Sequence, residues 1–151
     1  MSNVLIEGRL EVFKRNPLII IDVAHNKASF EALFNTMLEI KRMENFKSII
    51  LVLGIKYKNM EEIFNTVSKF SELISTIILT KPNYELAAEP EYMKKFLNFE
   101  NVFSTGNVKD AIEMALNMNK TKTNGTTNIT TAIVIAGSFF TAAEGKKYLK
   151  I

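Results

Sequence analysis

An apolar run in "LIIIDVAHNKASF" (18–30) stops at Asp22, and His25 and Asn26 follow just before a helical pattern begins. A carboxylate, an imidazole and an amide so close together can accept from ligand hydroxyls, orient a small polar substrate, or do nothing more than cap a turn. Other apolar runs end in polar or small residues too. Gly54 follows "SIILVL" (48–53), Thr80 and Lys81 close "TIILTK" (76–81), and Gly137 and Ser138 follow "AIVIA" (132–136). Each group has a plain structural alternative. Asn26 suits a helix N-cap, accepting from backbone N–H groups further on, and capping alone would explain it. Asp22 could cap the same turn. His25 is the chain's one histidine, so it forms no multi-histidine metal site, and a lone histidine is usually structural. Ser138 sits in "AGSFF", which is not the G-x-S-x-G of a nucleophile elbow.

The elements that would position these groups alternate between two periods. The runs at 18–23, 48–53, 76–80 and 132–136 are short, continuous and rich in β-branched residues, as suits strands covered on both faces of a parallel sheet. Between them Phe30, Leu33, Phe34, Met37 and Leu38 recur at helical spacing. So do Met60, Ile63, Phe64 and Val67, then Tyr92, Met93, Phe96 and Leu97, and Val108, Ala111, Ile112, Ala115 and Leu116. Strict alternation of this kind predicts an α/β domain of three layers with about six strands. "RLEVF" (9–13) alternates instead and is joined to the next run through "KRNP", predicting an antiparallel N-terminal edge strand entering by a hairpin. "NVF" (101–103) reads as a further short strand. The polar tract 119–131 reads as an exposed loop. In an open parallel sheet ligands sit beyond the carboxyl ends of the strands, where the polar groups of this chain gather.

Composition narrows the function. The chain has 151 residues, 47% hydrophobic and 23% charged, fitting one soluble domain with a real core. It has no cysteine, which excludes disulfides and thiolate metal sites. No apolar run reaches the ~20 residues of a membrane span and no signal peptide is legible, so a cytoplasmic protein without a membrane partner is expected. The net charge is +3, without the basic, aromatic-interleaved stripe that tracks nucleic acid. There is no G-x-x-x-x-G-K-[ST] and no G-x-G-x-x-G after a strand, hence no phosphate cradle of either kind. A receiver domain would carry an aspartate where the second long apolar run ends, and Gly54 stands there.

Taken in order, "GRLEVF", "PLIIIDVAHNKAS", "IILVLG", "TKPNYELAAEPE" and "VIAGSFFTAAEGKKYL" resemble the C-terminal domain of folylpolyglutamate and dihydrofolate synthases, in the Mur ligase superfamily. The resemblance runs from Gly8 to Leu149 and rests on an upstream Gly-Arg combined with Asp-x-Ala-His-Asn. It implies a Rossmann-like domain of the Mur ligase C-terminal type. It implies that Arg9 reaches the ATP phosphates, that Asp22 bonds the nucleotide ribose, and that His25 and Ser138 contact the incoming glutamate. It implies a reaction in which ATP, with Mg²⁺, converts a folate carboxylate to an acyl phosphate that the glutamate amine attacks. The P-loop and the Mg²⁺ ligands belong to an N-terminal ATPase domain in that family. One domain filling residues 1–151, monomeric, without a metal site, catalytic residue or cofactor of its own and inactive alone, is therefore expected. The sequence departs from the family's pattern at Val23, Lys27, Tyr57, Asn59 and Leu86. Those departures keep two alternatives open: another Mur-type amino-acid ligase, or a stand-alone binding module of the same fold.

Overall fold

The computed structural model describes residues 10–15, 17–44, 46–123 and 131–150. The strands are β1 (Glu11–Arg15), β2 (Leu18–Ile21), β3 (Ser48–Leu53), β4 (Ile74–Leu79), β5 (Val102–Ser104) and β6 (Thr131–Ala136). The helices are α1 (Lys27–Met43), α2 (Met60–Lys69), α3 (Pro90–Met93), α4 (Val108–Thr123) and α5 (Phe139–Leu149), with a 3-10 turn at Lys94–Phe96. One six-stranded sheet has the order β1-β2-β6-β3-β4-β5. β1 pairs antiparallel with β2 across a register shift between Val12 and Lys14, and every other pairing is parallel.

Continuous apolar strands are explained by what covers them. Ile20, Leu51, Ile77 and Val134 face a layer containing Phe30, Phe34, Ile63 and Phe64, whereas Ile19, Ile21, Ile50, Val52, Ile78, Ile133 and Ile135 face Val108, Ala111, Ile112 and Ala142. Alternate side chains of one strand therefore enter opposite cores, and both faces must be apolar. α1, α2 and α3 cover the first face, α4 and α5 the second. β6 inserts between β2 and β3, and the helices following these three strands leave to opposite faces. That makes the carboxyl ends of β2, β6 and β3 the point where the winding of the sheet reverses, the place where such folds open a crevice.

The structure corrects the sequence reading in four places. The edge strand is Glu11–Arg15, two residues later than "RLEVF". The tract 119–131 is not wholly loop: α4 runs to Thr123 and β6 starts at Thr131. Asn119 is buried, its Nδ2 donating to the Thr131 carbonyl (2.9 Å) and hydroxyl (2.8 Å). Tyr92 and Phe96 are exposed while Met93 is buried, because only four residues there are α-helical before the 3-10 turn. α5 has no large-residue periodicity to betray it, since its buried face is Thr141, Ala142 and Gly145. No helix among the described residues is long and apolar enough to cross a membrane.

Candidate functional site

A cleft of about 430 Å³ opens at the carboxyl edge of β2, β6 and β3. His25 and Asn26 line it from the turn after β2, Ser138 and Phe139 from the turn after β6, and Lys56 and Lys58 from the loop after β3. These are the three strand ends singled out by the topology.

Three helix N-termini reach the cleft, those of α1 and α5 and, through its N-cap residue Asn59, that of α2. Asn26 caps α1: its Oδ1 accepts from the Ser29 N–H (2.9 Å), and the Ser29 hydroxyl accepts in return from the Asn26 N–H (3.0 Å). Ser138 caps α5, accepting from the Thr141 N–H at 3.1 Å. Neither helix carries an acidic residue in its first turn, whereas α2 carries Glu61 and Glu62 there. The positive ends of α1 and α5 are thus left uncompensated beside two lysines, which favours an anionic ligand group. Among the described residues neither Lys56 nor Lys58 pairs with a carboxylate. Lys56 is instead steered by aromatic rings: its Nζ lies 5.6 Å from the Tyr84 ring centroid, and Tyr84 stacks on Phe140 at 3.9 Å.

The cleft floor requires glycine. Gly137 has φ of +131°, and a Cβ there would stand 2.0 Å from the Gly54 carbonyl oxygen. A Cβ on Gly54 would meet the Thr141 hydroxyl at 2.8 Å. The ends of β3 and β6 therefore approach backbone to backbone, and Thr141 Oγ1 donates to the Gly54 carbonyl at 2.8 Å.

Residues 8–139 match the sequence pattern of the Mur ligase, glutamate ligase domain family. The chain belongs to this family. The dihydrofolate synthase/folylpolyglutamate synthase of Buchnera aphidicola subsp. Baizongia pistaciae (strain Bp) is 30% identical over 149 residues, 99% of this chain and 32% of that protein. The chain thus spans about a third of the curated relative it matches. Folylpolyglutamate synthase of Mycobacterium tuberculosis, solved complexed with ADP, superposes with a TM-score of 0.77 at 25% identity, over 93% of this chain and 31% of that one. The bifunctional folylpolyglutamate synthase/dihydrofolate synthase of Yersinia pestis, complexed with AMPPNP and Mn ion, superposes with a TM-score of 0.73. It covers 97% of this chain and 32% of its own at 21% identity, a likeness of fold.

Within this glutamate ligase domain the expected site residues fall into three places. His25 and Ser138 line the cleft together. Asp22 stands at the same sheet edge, its N–H donating to the Ile135 carbonyl of β6 at 3.0 Å, but it is buried beneath the turn. Its Oδ2 accepts from the Leu10 N–H (2.8 Å) and its Oδ1 from the Ala24 N–H (2.7 Å), so it joins the entry of β1 to the end of β2. Arg9 lies outside the described residues. Thr80 and Lys81 are drawn elsewhere: Thr80 is buried and its hydroxyl is hydrogen-bonded to that of Thr105 (2.9 Å), while Lys81 pairs with Glu89. The Glu89 carboxylate raises the Lys81 pKa above its ordinary value and holds the lysine charged. Lys56 escaped sequence reasoning because a lysine in a polar loop is indistinguishable from ordinary surface. Among the described residues no group of three or more His, Asp and Glu could hold a metal ion.

Proposed function

We propose that this chain is the C-terminal domain of an ATP-dependent, cytoplasmic ligase that adds glutamate to a folate, and that its cleft is the glutamate seat. The observation that carries this reading is the convergence of Lys56, Lys58 and two uncompensated helix N-termini on one cleft lined by His25 and Ser138. Glutamate brings two carboxylates to such a site, and ammonium and helix-terminal N–H groups are suited to both. In the whole ligase ATP activates the folate carboxylate as an acyl phosphate. The work of this domain is to hold the amino acid still and oriented for attack, which is where proximity lowers a barrier most. Asp22, at the same sheet edge, is read as the acceptor for the ribose hydroxyls, with Arg9 reaching the phosphates.

The isolated chain, read this way, forms no amide from ATP, L-glutamate and a folate. Joined to a P-loop ATPase domain of the same family it forms the amide, and Ser138→Ala or Lys58→Ala in that joined enzyme raises the KM for L-glutamate while leaving that for ATP. An unchanged glutamate KM in both variants would overturn the reading. Turnover by the chain alone would overturn the division of labour between domains.

A further inference from the structure

The hydrogen bonds beneath the cleft decide which way the Ser138 hydroxyl points its proton. A carbonyl oxygen has no proton to give, so in the 2.8 Å contact between Thr141 Oγ1 and the Gly54 carbonyl the threonine is the donor. A hydroxyl has one proton, and that of Thr141 is thereby committed. Ser138 Oγ lies 3.0 Å from Thr141 Oγ1, so in this second contact Ser138 must donate and Thr141 accept. Ser138 Oγ also accepts from the Thr141 N–H at 3.1 Å. The proton and one lone pair of Ser138 are used, and a single lone pair remains. Ser138 can therefore receive a hydrogen bond from the cleft but has none to give.

His25 has the same polarity in its neutral form. Its Nδ1 lies 3.1 Å from the Val23 carbonyl, which can only accept, so Nδ1 carries a proton and Nε2 is an acceptor, already approached by the Asn26 Nδ2 at 3.5 Å. The cleft is thus lined by acceptors at Ser138 and His25 and by the amide of Asn59, together with Lys56 and Lys58.

We propose that Thr141 is a positioning residue that locks Ser138 as the acceptor for the substrate's ammonium group, so that the cleft selects a zwitterionic amino acid over a plain dicarboxylate. This deepens the glutamate reading and rests on it. Carboxylates go to the lysines and helix termini. The ammonium goes to Ser138, the one group in the cleft whose direction is set by a chain of bonds running to the backbone of another strand. Removing the Thr141 hydroxyl frees the Ser138 proton, and the serine then offers a donor as readily as an acceptor.

The test is a titration of the ¹⁵N-labelled chain with L-glutamate and with glutarate, which lacks the ammonium. Wild type is expected to prefer L-glutamate by about tenfold or more, the scale of a hydrogen bond to a charged group. Thr141→Val is expected to abolish that preference chiefly by weakening L-glutamate, and Thr141→Ser to keep it. Ser138→Ala leaves the bond from Thr141 to Gly54 intact, and it too is expected to lose the preference, which guards against a misfolded valine variant. A Thr141→Val or Ser138→Ala chain that retains the wild-type preference overturns the proposal, as does a wild type that binds both probes equally. A wild type that responds to neither overturns the glutamate reading itself, and the proposal with it.

Discussion

Thr141, in the first turn of α5, donates its hydroxyl proton to the carbonyl of Gly54, 87 residues earlier, at the end of β3. The bond ties the helix capped by Ser138 to the loop that carries Lys56 and Lys58, so the two sides of the cleft cannot drift apart independently. The same junction brings Gly137 against the Gly54 backbone, and it sets the first expectation.

Gly137→Ala would place a methyl 2.0 Å from the Gly54 oxygen at a φ of +131°. Both the clash and the backbone conformation oppose it, and a loss of roughly 3 kcal/mol or more is expected, beyond the usual range for single substitutions. Gly106→Ala meets nothing within 4 Å and is expected to leave the denaturant midpoint unchanged or raise it by a few tenths of a kcal/mol's worth, as reduced unfolded-state entropy allows. Equal midpoints for the two variants would contradict the packing described for the floor of the cleft.

Asn119→Ala strips the buried Thr131 carbonyl and hydroxyl of a donor. The expected loss is roughly 1–3 kcal/mol, which for a domain of this size lowers the melting temperature by about 2–4 °C per kcal/mol. An unchanged melting temperature would return the end of α4 to the status of a frayed loop.

The difference between what was legible and what was not follows from these same residues. Ile19, Ile21, Ile133 and Ile135 announce strands because each is buried whichever face it takes, and Asp22, His25 and Ser138 were findable because they punctuate such runs. Asn119 was not, because one buried amide in a polar tract has no period and only its partner Thr131 reveals it. α5 stayed hidden since Thr141, Ala142 and Gly145 pack by being small. The contact between Gly54 and Thr141 is set by neighbouring strands distant in sequence, and no local pattern contains it.

Asp22→Ala removes the acceptors of the Leu10 and Ala24 N–H groups, so it is expected to melt earlier whatever its role in binding. In a ligase carrying this domain it is also expected to weaken ATP by roughly tenfold to a hundredfold, the scale of hydrogen bonds to a charged carboxylate. An enzyme that melts early and keeps its ATP KM would leave Asp22 as a fastener of β1 alone.

Lys56→Ala and Lys58→Ala are each expected to weaken L-glutamate, and more so at low ionic strength, because exposed charges act through solvent and are screened by salt. Tyr84→Ala removes the ring over which the Lys56 ammonium lies and is expected to reproduce part of the Lys56→Ala defect. A Tyr84 variant with unaltered affinity would detach Lys56 from the aromatic stack.

The most direct measurement is a map of backbone amide shifts as L-glutamate is added to the ¹⁵N-labelled chain. The largest changes are expected at His25, Asn26, Gly137, Ser138 and Phe139, which surround the cleft at β2 and β6. A second cleft of about 480 Å³ lies at Lys81, Asn83, Tyr84, Gly106, Asn107 and Glu144, and shifts confined there would seat the amino acid elsewhere and contradict a glutamate seat between His25 and Ser138.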